Sequence, residues 1–187
     1  MKSDPFIPQT DSTALLFIDM QERLLGAMPE DISATIAKQK ILLEAAKLLK
    51  IKVIVTEQYP KGLGHTTEEL SSIFDPKWPV IEKSTFSSLG ESNVRSKLND
   101  SAVKTVILAG IETHVCVLQT AIDSIAKGYQ TVILTDAVNS RNSIDKETAF
   151  ITAQSAGAVL MTVESMLFVL MRDSKHPAFR SISKLLR

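Results

Sequence analysis

With 187 residues, 44% of them hydrophobic and 22% charged, the chain has the make-up of one globular domain, 1–187, long enough to bury a sizeable core. Lys+Arg and Asp+Glu both number 21, so no net field favours nucleic acid or a membrane surface, and neither is expected as a partner. One cysteine excludes an internal disulfide. Together with a polar start, "MKSDPFIPQT", and no apolar run near the roughly 18 residues of a membrane span, it points to a reducing, cytoplasmic setting.

In chain order, "TALLFID" (13–19) reads as the first buried strand, with Asp19 at its carboxyl end. "ISATIAKQKILLEAAKLLK" follows at helical period, placing Ile32, Ile36, Ile41, Leu42 and Leu49 on one broad apolar face. "KVIVTE" is the second strand. The segment 59–79, with three prolines and two glycines, reads as a long loop leading to a short strand, "VIEK" (80–83), that ends on Lys83. "TVILAG" (105–110) is the next strand, and "THVCVLQTAIDSIAKG" the helix after it, stopping at Gly128. "TVILTDA" ends near Asp136 and the loop "VNSRN". A helix opened by Ser143 as a cap candidate and closed by Gly157 precedes the last strand, "AVLMTVE". Strands alternating with helices at this spacing predict βαβ units, a mainly parallel sheet and a three-layer α/β/α sandwich.

Ligands of open α/β sheets bind outside the carboxyl ends of the strands, so the residues there carry the functional reading. Asp19, Glu57, Lys83, Asp136 and, one turn into a helix, Cys116 all fall at such ends. Taken singly, each has a plain structural role open to it. Cys116 suits a small buried hydrophobe, Asp19 a cap on the helix beginning "MQERLL", and Lys83 a solvated surface. Together an acid, an ammonium and a thiol at one rim suit nucleophilic catalysis. The carboxylate takes the thiol proton, the ammonium favours both anions, and a helix N-terminus adds to the acidification expected of the thiol. No G-x-G-x-x-G or G-x-S-x-G string occurs, against a dinucleotide enzyme or a serine hydrolase of the nucleophile-elbow type.

The segments "FIDMQ", "EKSTFSSL" and "GIETHVCV" resemble, in order and spacing, the signatures of the isochorismatase-like cysteine hydrolases, over roughly Leu15 to Val163. Gly110, Thr113 and Cys116 match the family's G-x-x-T-x-x-C. The resemblance implies a six-stranded Rossmann-like sheet and a triad of Asp19 as general base, Lys83 as electrostatic partner and Cys116 as nucleophile. It also implies a cis peptide at Ile111–Glu112 that turns the Glu112 amide toward the Cys116 amide as an oxyanion hole.

The family's nicotinamidases carry a metal after the second strand. Here Glu57 and His65 remain as candidate ligands while Tyr59 stands where a histidine is expected, so no metal and no cofactor are expected. "TEQYPKGLG" is most similar to the metal-free branch of isochorismatase-domain proteins and the proteins once labelled mitochondrial-associated (MAR1-type) ribonucleases. The expected activity is hydrolysis of a small molecule, through a thioester if the bond is an amide. Vinyl-ether hydrolysis of isochorismate type and a catalytically relic scaffold are the alternatives. Leu24, Tyr59, Phe86, His114 and Arg141 are candidate pocket residues, with Arg141 suited to a substrate carboxylate or to an interface salt bridge. A homo-oligomer is expected, through the apolar C-terminal segment containing Met166, Leu167 and Leu170.

Overall fold

The computed structural model describes residues 8–28, 32–99 and 102–187. Six strands form one sheet: β1 Thr13–Ile18, β2 Lys52–Gln58, β3 Val80–Lys83, β4 Thr105–Ile111, β5 Gln130–Asn139 and β6 Val159–Met161. Their order is β3-β2-β1-β4-β5-β6, and every pairing is parallel rather than only most of them. β1 and β4 are buried along their whole length, which is why neither shows the alternation of a half-exposed strand.

The helices are α1 Glu22–Leu25, α2 Ile32–Leu49, α3 Pro60–Leu63, α4 Glu68–Ser71, α5 Ser92–Asn99, α6 Leu118–Ala126, α7 Ser143–Ala156, α8 Val163–Met171 and α9 Phe179–Leu185. Leu15, Phe17, Val53, Val55, Ile107 and Ala109 face one apolar layer, against α2, α8 and α9. Ala14, Leu16, Ile18, Ile54, Val106 and Leu108 face the other, against α5, α6 and α7. The two-residue period of the strands thus sorts neighbouring side chains into opposite cores, and three layers result.

Several local expectations are corrected. The segment 59–79 is not one loop, for it holds α3 and α4, and Pro60 at the first helical position suits the start of α3. Asn142, not Ser143, occupies the cap position of α7, and its amide donates to Asp145 in the first turn. Within α2, Leu42 and Leu49 are buried as expected, whereas Ile32, Ile36 and Ile41 are only half-buried. Gln39, fully buried in their midst, donates to the carbonyl of Ala137 at 2.9 Å. That carbonyl lies where β5 slips register against β4, so the buried amide satisfies a group the ladder leaves over. β5 therefore runs past Asp136, whose carboxylate instead accepts the Val163 amide at the start of α8, at 2.8 Å. Met166, Leu167 and Leu170 lie in the core, because α8 packs its apolar face onto the sheet. Among the described residues, no helix is long and apolar enough to cross a membrane.

Candidate active site

β1 and β4 are neighbours in the sheet, yet β1 connects onward to β2 on one side while β4 continues to β5 on the other. That reversal opens a crevice beyond their carboxyl ends. Asp19 follows β1 directly, and Cys116 sits in a π-helical turn, Thr113–Val117, that follows β4 and leads into α6. Gly110 makes the approach possible. It pairs with Ile18 at φ 122°, and a Cβ there would lie 2.0 Å from the Ile18 carbonyl oxygen. The peptide bond between Ile111 and Glu112 is cis.

Asp19 adopts φ 54°, a left-handed conformation that aspartate tolerates better than most residues. It does not cap α1; its side chain turns inward instead. The Thr56 hydroxyl donates to Oδ1 at 2.9 Å and Lys83 Nζ lies 2.7 Å from Oδ2. The same ammonium is 3.4 Å from Cys116 Sγ, 2.6 Å from Gln58 Oε1, and 3.2 and 3.1 Å from the carbonyls of Thr85 and Phe86. The side chains of Asp19 and Lys83 are fully buried, and Cys116 is 7% exposed. Bringing an ion pair this deep is costly unless its charges are met by hydrogen bonds; the ammonium has the acceptors just named and Asp19 Oδ1 has the Thr56 hydroxyl, while Oδ2 relies on the ammonium. The loop that supplies the two carbonyls is itself pinned by Glu91, which accepts from the Ser84 and Thr85 amides and the Thr85 hydroxyl.

Electrostatics correct the expectation of an acidified thiol. Burial, and next the charge of Asp19, push Cys116 up to about 12, against the pull of Lys83. Burial also raises Asp19 above the ordinary carboxylate range, with Lys83 opposing. Two acids share one ammonium in a dry site, so ionising one opposes ionising the other. Cys116 therefore rests as a thiol, within hydrogen-bond reach of Asp19.

The other sequence candidates spread out from this centre. Tyr59 is 60% exposed and, with Lys83, Glu82 and Glu91, lines a shallow cavity of about 330 Å³. Phe86 offers its carbonyl to Lys83, and the residue is 54% exposed. Leu24 packs against the α2-side core rather than against the triad side chains. His114 is hydrogen-bonded to the Ser140 hydroxyl at 3.0 Å. Arg141 pairs through Nε with Glu112 at 3.0 Å and lines a groove of about 940 Å³ with Asn139, Lys146 and Phe150. Glu57 and His65 meet at 2.9 Å, and the second oxygen of Glu57 accepts from the amide and hydroxyl of Thr66. This carboxylate thus fastens the segment after α3 to the end of β2. Among the described residues no cluster of three His, Cys, Asp or Glu side chains is arranged to hold a metal. Thr56, Gln58, Gln21 and Glu91 were not evident from sequence; the available signal was two polar residues, 56 and 58, on one face of a strand's carboxyl end.

Fold and site together define a doubly wound α/β protein with a buried carboxylate–ammonium–thiol cluster at its switch point. Residues 13–165 match the isochorismatase domain, and the chain belongs to that hydrolase family. Isochorismatase family protein 1B of Dictyostelium discoideum is 36% identical over 94% of this chain and 85% of its own. The solved MAR1 ribonuclease of Caenorhabditis elegans is 37% identical with a TM-score of 0.91, covering 96% of this chain and 91% of that one. The YcaC product of Escherichia coli, an octameric hydrolase of unknown specificity, is 25% identical with a TM-score of 0.91, over 98% of this chain and 91% of that one.

Proposed function

We propose that the protein is a cysteine hydrolase of a small molecule, cleaving an amide C–N bond through a thioester on Cys116. The observation that carries this reading is a single buried ammonium within reach of both a carboxylate and the chain's one thiol. As Sγ bonds to the substrate carbonyl carbon, its proton passes to Asp19 and the carbonyl oxygen takes up negative charge. The amides of Glu112 and Cys116 receive that charge, and Lys83 balances the anion of the thiol–carboxylate pair throughout. When the C–N bond breaks, the proton on Asp19 moves to the departing nitrogen. Asp19 then takes a proton from water as the water oxygen attacks the thioester; the C–S bond breaks and the proton returns to sulfur. Proton transfer of this kind contributes about 10²–10⁴-fold.

The test is a panel of small amides, esters and vinyl ethers assayed with wild type and Cys116→Ala. An amide turned over by wild type alone, with an acyl mass trapped on Cys116, supports the reading. Turnover of vinyl ethers with no adduct assigns the site to protonation chemistry, and no turnover of any class leaves the relic scaffold.

The protein also self-associates in this reading, as the octameric Escherichia coli relative does. Because the C-terminal residues are core, the surface for it is α7, which exposes Ile144 and Ile151 by 67 and 66% and buries only Ala149 and Ala153. Sedimentation of wild type beside Ile144→Glu/Ile151→Glu checks this; a 20.5 kDa species for wild type at micromolar concentration refutes it.

A further inference from the structure

We infer that Gln58 is a positioning residue for the site, holding the Lys83 ammonium within reach of both Asp19 and Cys116. The inference rests on the hydrolase reading only in taking Cys116 as the reacting atom. Gln58 ends β2 and lies beside Lys83 in the parallel register of β2 and β3. Its side chain points to the same side as that of Thr56, two residues earlier, so one strand supplies the holder of each charged partner: Thr56 for Asp19 and Gln58 for Lys83.

The orientation of the Gln58 amide is determined from both ends. Its Nε2 donates to the Ser84 carbonyl at 3.0 Å, which leaves Oε1 facing an ammonium that can only donate. Its main chain is clamped in turn by Gln21, which is fully buried. Gln21 Oε1 accepts the Gln58 amide at 2.7 Å, and Gln21 Nε2 donates to the carbonyls of Gln58 and Gly64 at 2.9 and 2.6 Å. Two glutamines in series therefore tie the ammonium to β2 and to the segment after α3.

A neutral acceptor has a purpose at this position. The charged groups that meet Lys83 are Asp19 from the end of β1, Cys116 from the π turn and, more remotely, Glu91 before α5, whose carboxylate is engaged by Ser84 and Thr85. Glu82 and Lys61 share the cavity wall outside. A carboxylate at 58 would divide the ammonium between two anions and draw it from sulfur. The glutamine oxygen holds it without adding charge.

The experiment measures the iodoacetamide alkylation rate of Cys116 against pH, by intact mass, in wild type, Gln58→Met and Gln58→Glu; it needs no knowledge of the substrate. Two similar-sized replacements guard against one failing to fold, and circular dichroism selects the folded samples. Both variants should alkylate roughly tenfold more slowly at neutral pH, the equivalent of one pKa unit. In Gln58→Glu alone, the acidic limb of the profile should move to higher pH, because the added anion makes Asp19 harder to ionise. Profiles of the two variants that coincide with wild type, or with each other, overturn the inference, since mere loosening of the loop would not distinguish a carboxylate from a thioether. Failure here leaves hydrolysis by Cys116 intact, whereas inertness toward every substrate class would remove the hydrolase reading and leave the Gln58–Lys83 linkage.

Discussion

Replacing Gly110 by alanine is the sharpest probe of how this fold makes its site. The added Cβ would sit 2.0 Å from the Ile18 carbonyl oxygen and 2.7 Å from its carbon and nitrogen, all main-chain atoms of the neighbouring strand. No side-chain rotation can relieve that overlap, so β1 and β4 must part where Asp19 and the π turn diverge. The positive φ of 122° adds about 1–3 kcal/mol for any residue with a Cβ. With lost strand contacts, the total should reach about 4 kcal/mol or more, a large share of a typical 5–15 kcal/mol. Gly128 provides the matched control: it too has positive φ, 86°, but a Cβ there meets nothing within 4 Å. Its alanine variant should lose only about 1–2 kcal/mol, the conformational cost alone. Urea unfolding of both variants, followed by circular dichroism, gives the comparison. If Gly110→Ala is no less stable than Gly128→Ala, the close approach of β1 and β4 is not what places the site.

Three further outcomes are expected. Lys83→Met should destabilise by about 3–5 kcal/mol at pH 8, because it leaves Asp19 buried and unpaired. Asp19 already lies above its unfolded value and rises further without the ammonium, so the folded form binds the proton more tightly. The deficit should therefore shrink as pH falls below the folded pKa and grow as pH rises through it; a pH-independent deficit in urea melts would contradict this. In wild type, iodoacetamide should label Cys116 more slowly than a small model thiol at pH 7.5, because burial and Asp19 hold the thiol up to about 12; faster labelling would mean a resting thiolate. The Glu57–His65 contact should be strongest between two limits. It weakens as pH falls through the Glu57 pKa, held below 4.5 because the Thr66 and His65 hydrogen bonds outweigh burial, and as pH rises through the His65 pKa, raised above 6.5 by Glu57. An NMR titration of His65 in wild type and Glu57→Gln checks it: an unchanged midpoint would show that the pair does not form in solution.

The sequence alone determined the order of the strands and of the main helices α2, α6 and α7, because buried parallel strands are near-continuous apolar runs whose period differs from that of the helices between them. It also singled out Asp19, Lys83 and Cys116, since chemistry on such a sheet collects where strands end and these residues end or follow three separate strands. What it left open required neighbours that are distant in the chain. Thr56, Gln58 and Gln21 are ordinary polar residues until β2, β3 and the end of β1 lie side by side, when they become the holders of Asp19 and Lys83. The ionisation of Cys116 was likewise beyond reach, because local features argue for a thiolate while desolvation and the charge of Asp19 argue for a thiol. Met166 and Leu167 read as readily for a surface as for a core until the sheet covers them. Periodicity and strand ends are local properties of a chain. Burial and the sharing of one ammonium between two acids exist only after distant segments have excluded water from between them.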